Sequence, residues 1–233
     1  MMSGVIKKRM AIDKIHLRKL LQYFGLPNDR RLAAVKADAR SELRKLARTK
    51  AGGADFHSCF WADAKRHVSG FVSLDEEIVE RVKKNRSRER LYPLLADGFL
   101  SWWHESRRWI NEEIYIIPEP VTAPYHFIEI DGQVKVQNLL ALKVGGGSCR
   151  LIYPYFSEMP TLTEDTARLG LWLMSQAFPK FNVEDMRILD VLRGKSHAGD
   201  QLPLRGNEGA IFVERYAKML ADWRSFKAEF STN

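Results

Sequence analysis

The chain has 233 residues, 45% hydrophobic and 28% charged, with a net charge of +8 at neutral pH and two cysteines. These proportions are ordinary for a globular protein, and the length fits one large domain or two small ones that need no disulfide or metal to close a core. Cys59 and Cys149 are far apart and in no CxxC pair, so they read as free thiols in a reducing, cytoplasmic setting. No apolar run reaches the length of a transmembrane helix, so no membrane association is expected. Lys7, Lys8 and Arg9 are followed by no apolar segment of signal-peptide length, and the last residues carry no lipidation box.

The charge is unevenly placed. Residues 1–50 hold 14 Lys and Arg against 4 Asp and Glu, a net of +10; the remaining residues hold 23 against 25, a net of −2. Local basic density of this kind points to a polyanionic partner.

Residues 10–50 read as two helices. Ile12, Ile15, Leu20, Leu21 and Phe24 share helical spacing in the first, which Gly25-Leu26-Pro27 ends because proline cannot continue a helix. Asn28 or Asp29 caps the second, whose Leu32, Val35, Ala39, Leu43 and Leu46 recur at steps of 3, 4, 4 and 3. That is a narrow apolar seam. Arg30, Arg31, Lys36, Arg40, Arg44, Lys45 and Arg48 fill the rest of this helix. Ala51-Gly52-Gly53 is the expected hinge, giving a basic helical hairpin over 1–53 and a second unit over 54–233.

Three more helices follow, over residues 55–68, 73–85 and 89–111; Ser73 and Glu76 have capping-box spacing. The pattern then turns to short β runs at 114–117, 125–130, 134–144 and 150–156. Asp131-Gly132 suits a hairpin turn, and Gly145-Gly146-Gly147-Ser148 a second connection. Thr161 with Glu164 caps a helix to residue 177, residues 186–192 form a fifth strand, residues 194–207 read as a polar loop, and a last helix covers 208–230. Helices first and then ββββ-α-β-α make the fold class α+β, with an antiparallel-rich sheet.

Motif spacing excludes several chemistries. Gly145 to Ser148 lacks the lysine and following helix of a phosphate loop. His57 and Cys59 project about 200° apart on a helix, so with His67 they hold no metal. No cofactor motif is present, and the sequence leaves open whether the protein is an enzyme. The segment from Arg193 through Lys195 and His197 to Asp200 gathers a cation, an imidazole and a carboxylate after a strand, where binding sites often lie. Arg86 and Arg88 form a second basic patch, and Arg107-Arg108-Trp109 a third, a combination suited to phosphate contact and base stacking.

A helix followed by ββββ-α-β, with Ala141-Leu142-Lys143 ahead of Val144-Gly145, resembles the core of the PD-(D/E)XK nuclease superfamily. In that family an acidic residue on one strand and an acidic-x-Lys triplet on the next bind a divalent metal. The resemblance implies Lys143 as the triplet lysine, with Ala141 where the carboxylate belongs, and Glu129 or Asp131 as the first acid. A two-residue turn at Asp131-Gly132 would set Glu129 against Val134 and leave Lys143 about 30 Å away. The expected scaffold is therefore inactive as a nuclease.

These readings converge on a nucleic-acid-associated protein that contacts the phosphates of DNA or RNA through its basic N-terminal helices. The alternatives are an adaptor subunit with a protein partner, suggested by six tryptophans, and an enzyme using the 193–200 segment.

Overall fold

The computed structural model describes residues 12, 14–46, 56–108, 112–145 and 147–231. The fold is α+β, with two sheets. Strands β2 (Ile114–Ile116), β5 (Leu140–Val144), β6 (Ser148–Tyr155), β7 (Met186–Asp190) and β8 (Lys195–Ala198) form a five-stranded sheet in that order. Within this sheet, among the described residues, β6 and β7 are the one parallel pair, and α6 (Glu164–Ala177) links them, as a parallel connection requires. Strands β1 (Lys14–His16), β4 (Gly132–Val136) and β3 (Ala123–Phe127) form a smaller sheet.

Both faces of the large sheet carry helices. Residues Leu140, Leu142, Ile152 and Leu189 pack with Phe60, Trp61, Phe99 and Trp102, which come from α3 (Phe56–Val68) and α5 (Leu91–Arg108); α4 (Leu74–Lys84) joins this layer through Leu74 and Ile78. Alternation along the strands turns Leu151, Tyr153 and Ile188 the other way. There they meet α1 (Leu17–Gly25), α6 and α7 (Glu208–Ser231) in a second core with Leu20, Leu21, Phe212 and Tyr216. The smaller sheet and α2 (Asn28–Leu46) belong to this second core through Val134, Val35 and Ala39. Residues 14–46 therefore share one interior with the C-terminal helix. The expected hinge at 51–53 lies outside the described residues.

Tryptophans 61, 102, 103 and 223 are buried and Trp172 is half-buried. Two cores absorb the aromatic load that suggested an adaptor surface; Trp109 lies outside the described residues.

Several elements differ from the sequence reading. The first helix begins at Leu17, because residues 14–16 pair in parallel with β4, Ile15 beside Val134. An open edge of β4 is worth more to Ile15, a β-branched residue, than one more helical turn. Residues 134–144 form two strands in different sheets, since Asn138 between them adopts φ 65°, a left-handed conformation asparagine tolerates. The β3–β4 hairpin closes through a four-residue loop with Asp131 at φ 52°, so Tyr125, not Glu129, faces Val134. A Cβ on Gly132 would lie 2.7 Å from the Tyr216 ring, which is why the pairing ends on a glycine.

The loop expected over 194–207 opens with β8. Gly194, at φ 60°, returns the chain antiparallel to β7. Ser73 makes no side-chain cap on α4, and Thr163, rather than Thr161, caps α6 by accepting the Thr166 N–H at 3.3 Å.

Candidate nucleic-acid interface

Helix α2 has one face against α7 and one facing out. Val35 and Ala39 are buried. Arg31, buried as well, donates to Asn28 Oδ1 at 2.8 Å and to Asp222 Oδ2 at 3.3 Å. Lys36 reaches Glu229 at 2.9 Å, its ammonium 5.2 Å from the Phe226 ring centroid and 5.6 Å from that of Phe230. Two of the expected phosphate-binding cations thus hold α2 to α7.

The outward positions are Arg30, Ala33, Ala37, Arg40 and Arg44, all exposed and spaced by steps of 3, 4, 3 and 4. Helical geometry makes this one stripe, about 21 Å long from Arg30 to Arg44. It contains no carboxylate; Asp29 is exposed beside it in the first turn. Asp38 is turned to α1, where it accepts from the Tyr23 hydroxyl and pairs with Lys19 at 2.8 Å. Burial and this carboxylate push the Tyr23 phenol well above its usual range. The Arg40 guanidinium lies 4.9 Å from the Phe230 ring centroid, which steadies it while leaving the side chain exposed. Arg48 and the side chain of Lys45 lie outside the described residues.

The second basic patch is on the other layer. Arg86–Arg88 form a 3-10 turn between α4 and α5. Arg88 is half-buried over Tyr92, 5.3 Å from its ring centroid, and donates to the Arg81 carbonyl at 3.4 Å. Arg86 is exposed. The large sheet stands between this turn and α2, so the two patches are not one surface. Trp109 and the side chains of Arg107 and Arg108 lie outside the described residues.

The segment from Arg193 to Asp200 does not converge on one point. Arg193 is tied to Asp190 at 3.0 Å and to the carbonyls of Ser157 and Glu158 at 3.2 and 2.7 Å. Lys195 is exposed at the start of the edge strand. Asp200 pairs with Arg187 at 3.2 Å. His197 pairs with Ile188 and is buried on the face toward α6.

Burial, with Lys195 adding to it, holds the His197 imidazole below the usual histidine range, against the pull of Glu164 and Asp190. Its folded pKa is thus below the unfolded value of about 6.5. Its contribution to stability is full above that value and is lost as pH falls through the folded pKa, because the unfolded chain takes the proton first. His197→Gln should flatten this part of the stability profile, read from urea midpoints between about pH 7.5 and 5. Parallel profiles for the two proteins would contradict it.

Lys143 is exposed on β5, opposite Tyr115 and Cys149. Glu129 sits in the turn of the other sheet, beside Asp131. The strands flanking β5 read IYI and SCRLIYPY, with no acidic residue. Among the described residues no group of His, Cys, Asp and Glu is arranged to hold a metal ion. The residues around Lys143 therefore do not fit the divalent metal that a PD-(D/E)XK site requires.

Sequence reasoning missed two arginines on the large sheet, Arg150 and Arg187. Arg150 is the third residue of a strand whose alternate members Ile152 and Pro154 are apolar. An arginine on an inward-facing register was the available signal.

The described residues define an α+β protein with an arginine-lined helix face, and none of their helices is long and apolar enough to cross a membrane. No known protein-family model matches the chain, and no curated protein is significantly similar to it.

Proposed function

We propose that this protein associates with nucleic acid, DNA or RNA, through the phosphate backbone, and that it does so without metal-dependent cleavage. The observation that carries the reading is the outward stripe of α2: three exposed arginines, two alanines and no acid over about 21 Å. Guanidinium groups match phosphate geometry, and the small alanines let a backbone approach closely between them. The large excess of positive charge in residues 1–50 adds long-range attraction. The succession of α5, strands β2 to β6, α6 and β7 supports a degenerate nuclease-like scaffold, and Ala141, standing where the resemblance puts the triplet carboxylate, supports binding without cleavage. A reducing, cytoplasmic setting belongs to the same reading, since Cys59 and Cys149 are both free.

Fluorescence anisotropy with a labelled duplex and a labelled single strand tests this. Binding should appear at low salt and weaken by about 10-fold or more on raising salt from 50 to 200 mM. No binding of either strand form at low salt would defeat the proposal.

A further inference from the structure

The face of the large sheet toward α5 is not fully covered. Beyond Trp102 and Trp103 a cleft of about 430 Å³ remains, bordered by Arg150, Arg187 and Ser196. This is the size range of small-molecule sites. Arg187 pairs with Ile152, two residues along β6 from Arg150. Both arginines face the cleft, about 8 Å apart by strand spacing and rise.

Their surroundings differ. Arg187 is largely buried and satisfied: it donates to the Glu184 carbonyl at 2.8 Å and pairs with Asp200 at 3.2 Å. Burial, and the nearby Arg150, hold its guanidinium below the usual arginine range. The Arg150 side chain is half-buried and makes no hydrogen bond or ion pair among the described residues. The Ser196 Oγ is buried without a hydrogen-bond partner. Lys195 and Glu105 also line the cleft. The cations Arg150, Arg187 and Lys195 thus share this region with Glu105, Asp185 and Asp200, yet a hydroxyl and a guanidinium still lack acceptors. A partly desolvated, unpaired guanidinium beside a second one is costly, and Arg150 and the Ser196 hydroxyl together suit an acceptor with several oxygens.

We propose that this cleft binds a phosphate group, with Arg150 and Ser196 as direct donors and Arg187 as the second positive charge. A phosphate offers three or more acceptor oxygens and matches the planar donor edge of arginine. The site does not rest on the α2 stripe, which lies in the opposite layer. Free phosphate and a phosphate monoester share this chemistry, and the Trp102 and Trp103 edges of the cleft offer an aromatic surface to the base of a mononucleotide.

Titrating the full chain with inorganic phosphate, at constant ionic strength, and following tryptophan fluorescence tests the proposal. A saturable response is expected. Arg150→Gln should weaken binding by about 10-fold, and Arg150→Lys by less. Asp200→Asn should tighten it, because Arg187 then loses its competing carboxylate. Loss of folding cannot give opposite effects in two variants. A mononucleotide titrated in parallel separates the sources: tighter binding than phosphate supports an ester ligand, and equal binding supports the free ion. A response that does not saturate, one unchanged in Arg150→Gln, or one reproduced by acetate would overturn the proposal. The Arg30, Arg40 and Arg44 to Ala variant should bind phosphate as the parent does, so failure of this site and failure of the nucleic-acid reading are told apart.

Discussion

Replacing Arg81 with alanine should destabilise the protein by about 3–5 kcal/mol. Asp63, on α3, is 1% exposed. Arg81, on α4, donates to both of its oxygens, from Nε at 2.8 Å and Nη2 at 3.0 Å. The other cation near it, Arg66, is at 3.7 Å and half-exposed. Without Arg81 a carboxylate stays in the α3–α4 interior with little to offset its lost hydration, and an uncompensated buried charge is among the larger single-site penalties. The pair itself adds far less than its loss removes. Asp63→Leu combined with Arg81→Met should therefore recover most of the stability. Urea unfolding at unchanged m-value gives both numbers. A loss under about 1 kcal/mol in the single variant, the size seen for exposed pairs, would show that water reaches Asp63.

Phe212→Ala should cost a similar amount, about 3–5 kcal/mol, and lower the melting temperature by about 6–20 °C. The Phe212 ring, fully buried on α7, stacks on Phe127 with centroids 5.3 Å apart and meets Phe24 edge-on at 5.1 Å. Trp172 is 5.5 Å away. One side chain therefore joins α1, β3, α6 and α7, and its removal leaves a cavity that four elements would have to collapse together to fill. Phe212→Leu should cost less than half as much, because most of the volume is kept. Equal losses in the two variants would mean that the ring's shape, rather than its volume, carries the effect.

The helical part of the fold was legible because its signals are long. The seam from Leu32 to Leu46 repeats over four steps, and α2 spans Asn28–Leu46. Thr163 to Ala177 and Glu208 to Ser231 were equally readable within a few residues. What was not legible depends on partners distant in sequence. Residues 14–16 are a strand only because the edge of β4 lies beside them. Lys195 to Ala198 look polar, and their pairing with β7 is what makes them a strand. Residues 134–144 read as one apolar run because nothing local says that two sheets divide it at Asn138.

The site was legible in composition and not in placement. The sequence shows many cations on α2, but the separation of Arg31 and Lys36 from Arg30, Arg40 and Arg44 depends on Asp222, Glu229 and Phe230 of α7, almost two hundred residues away. Arg150 and Arg187 became visible as neighbours only once the β6–β7 register was known.

The central claim is that the exposed arginines of α2 neutralise phosphates, and the salt dependence of binding to a short duplex tests it most directly. Each phosphate contact contributes about 0.9 to the slope of log affinity against log salt. Changing Arg30, Arg40 and Arg44 together to alanine should make that slope shallower by about 2–3 and weaken binding at every salt concentration, while Arg86→Ala, on the opposite layer, should leave the slope nearly unchanged. Equal slopes for the parent and the triple variant would show that the stripe faces only water.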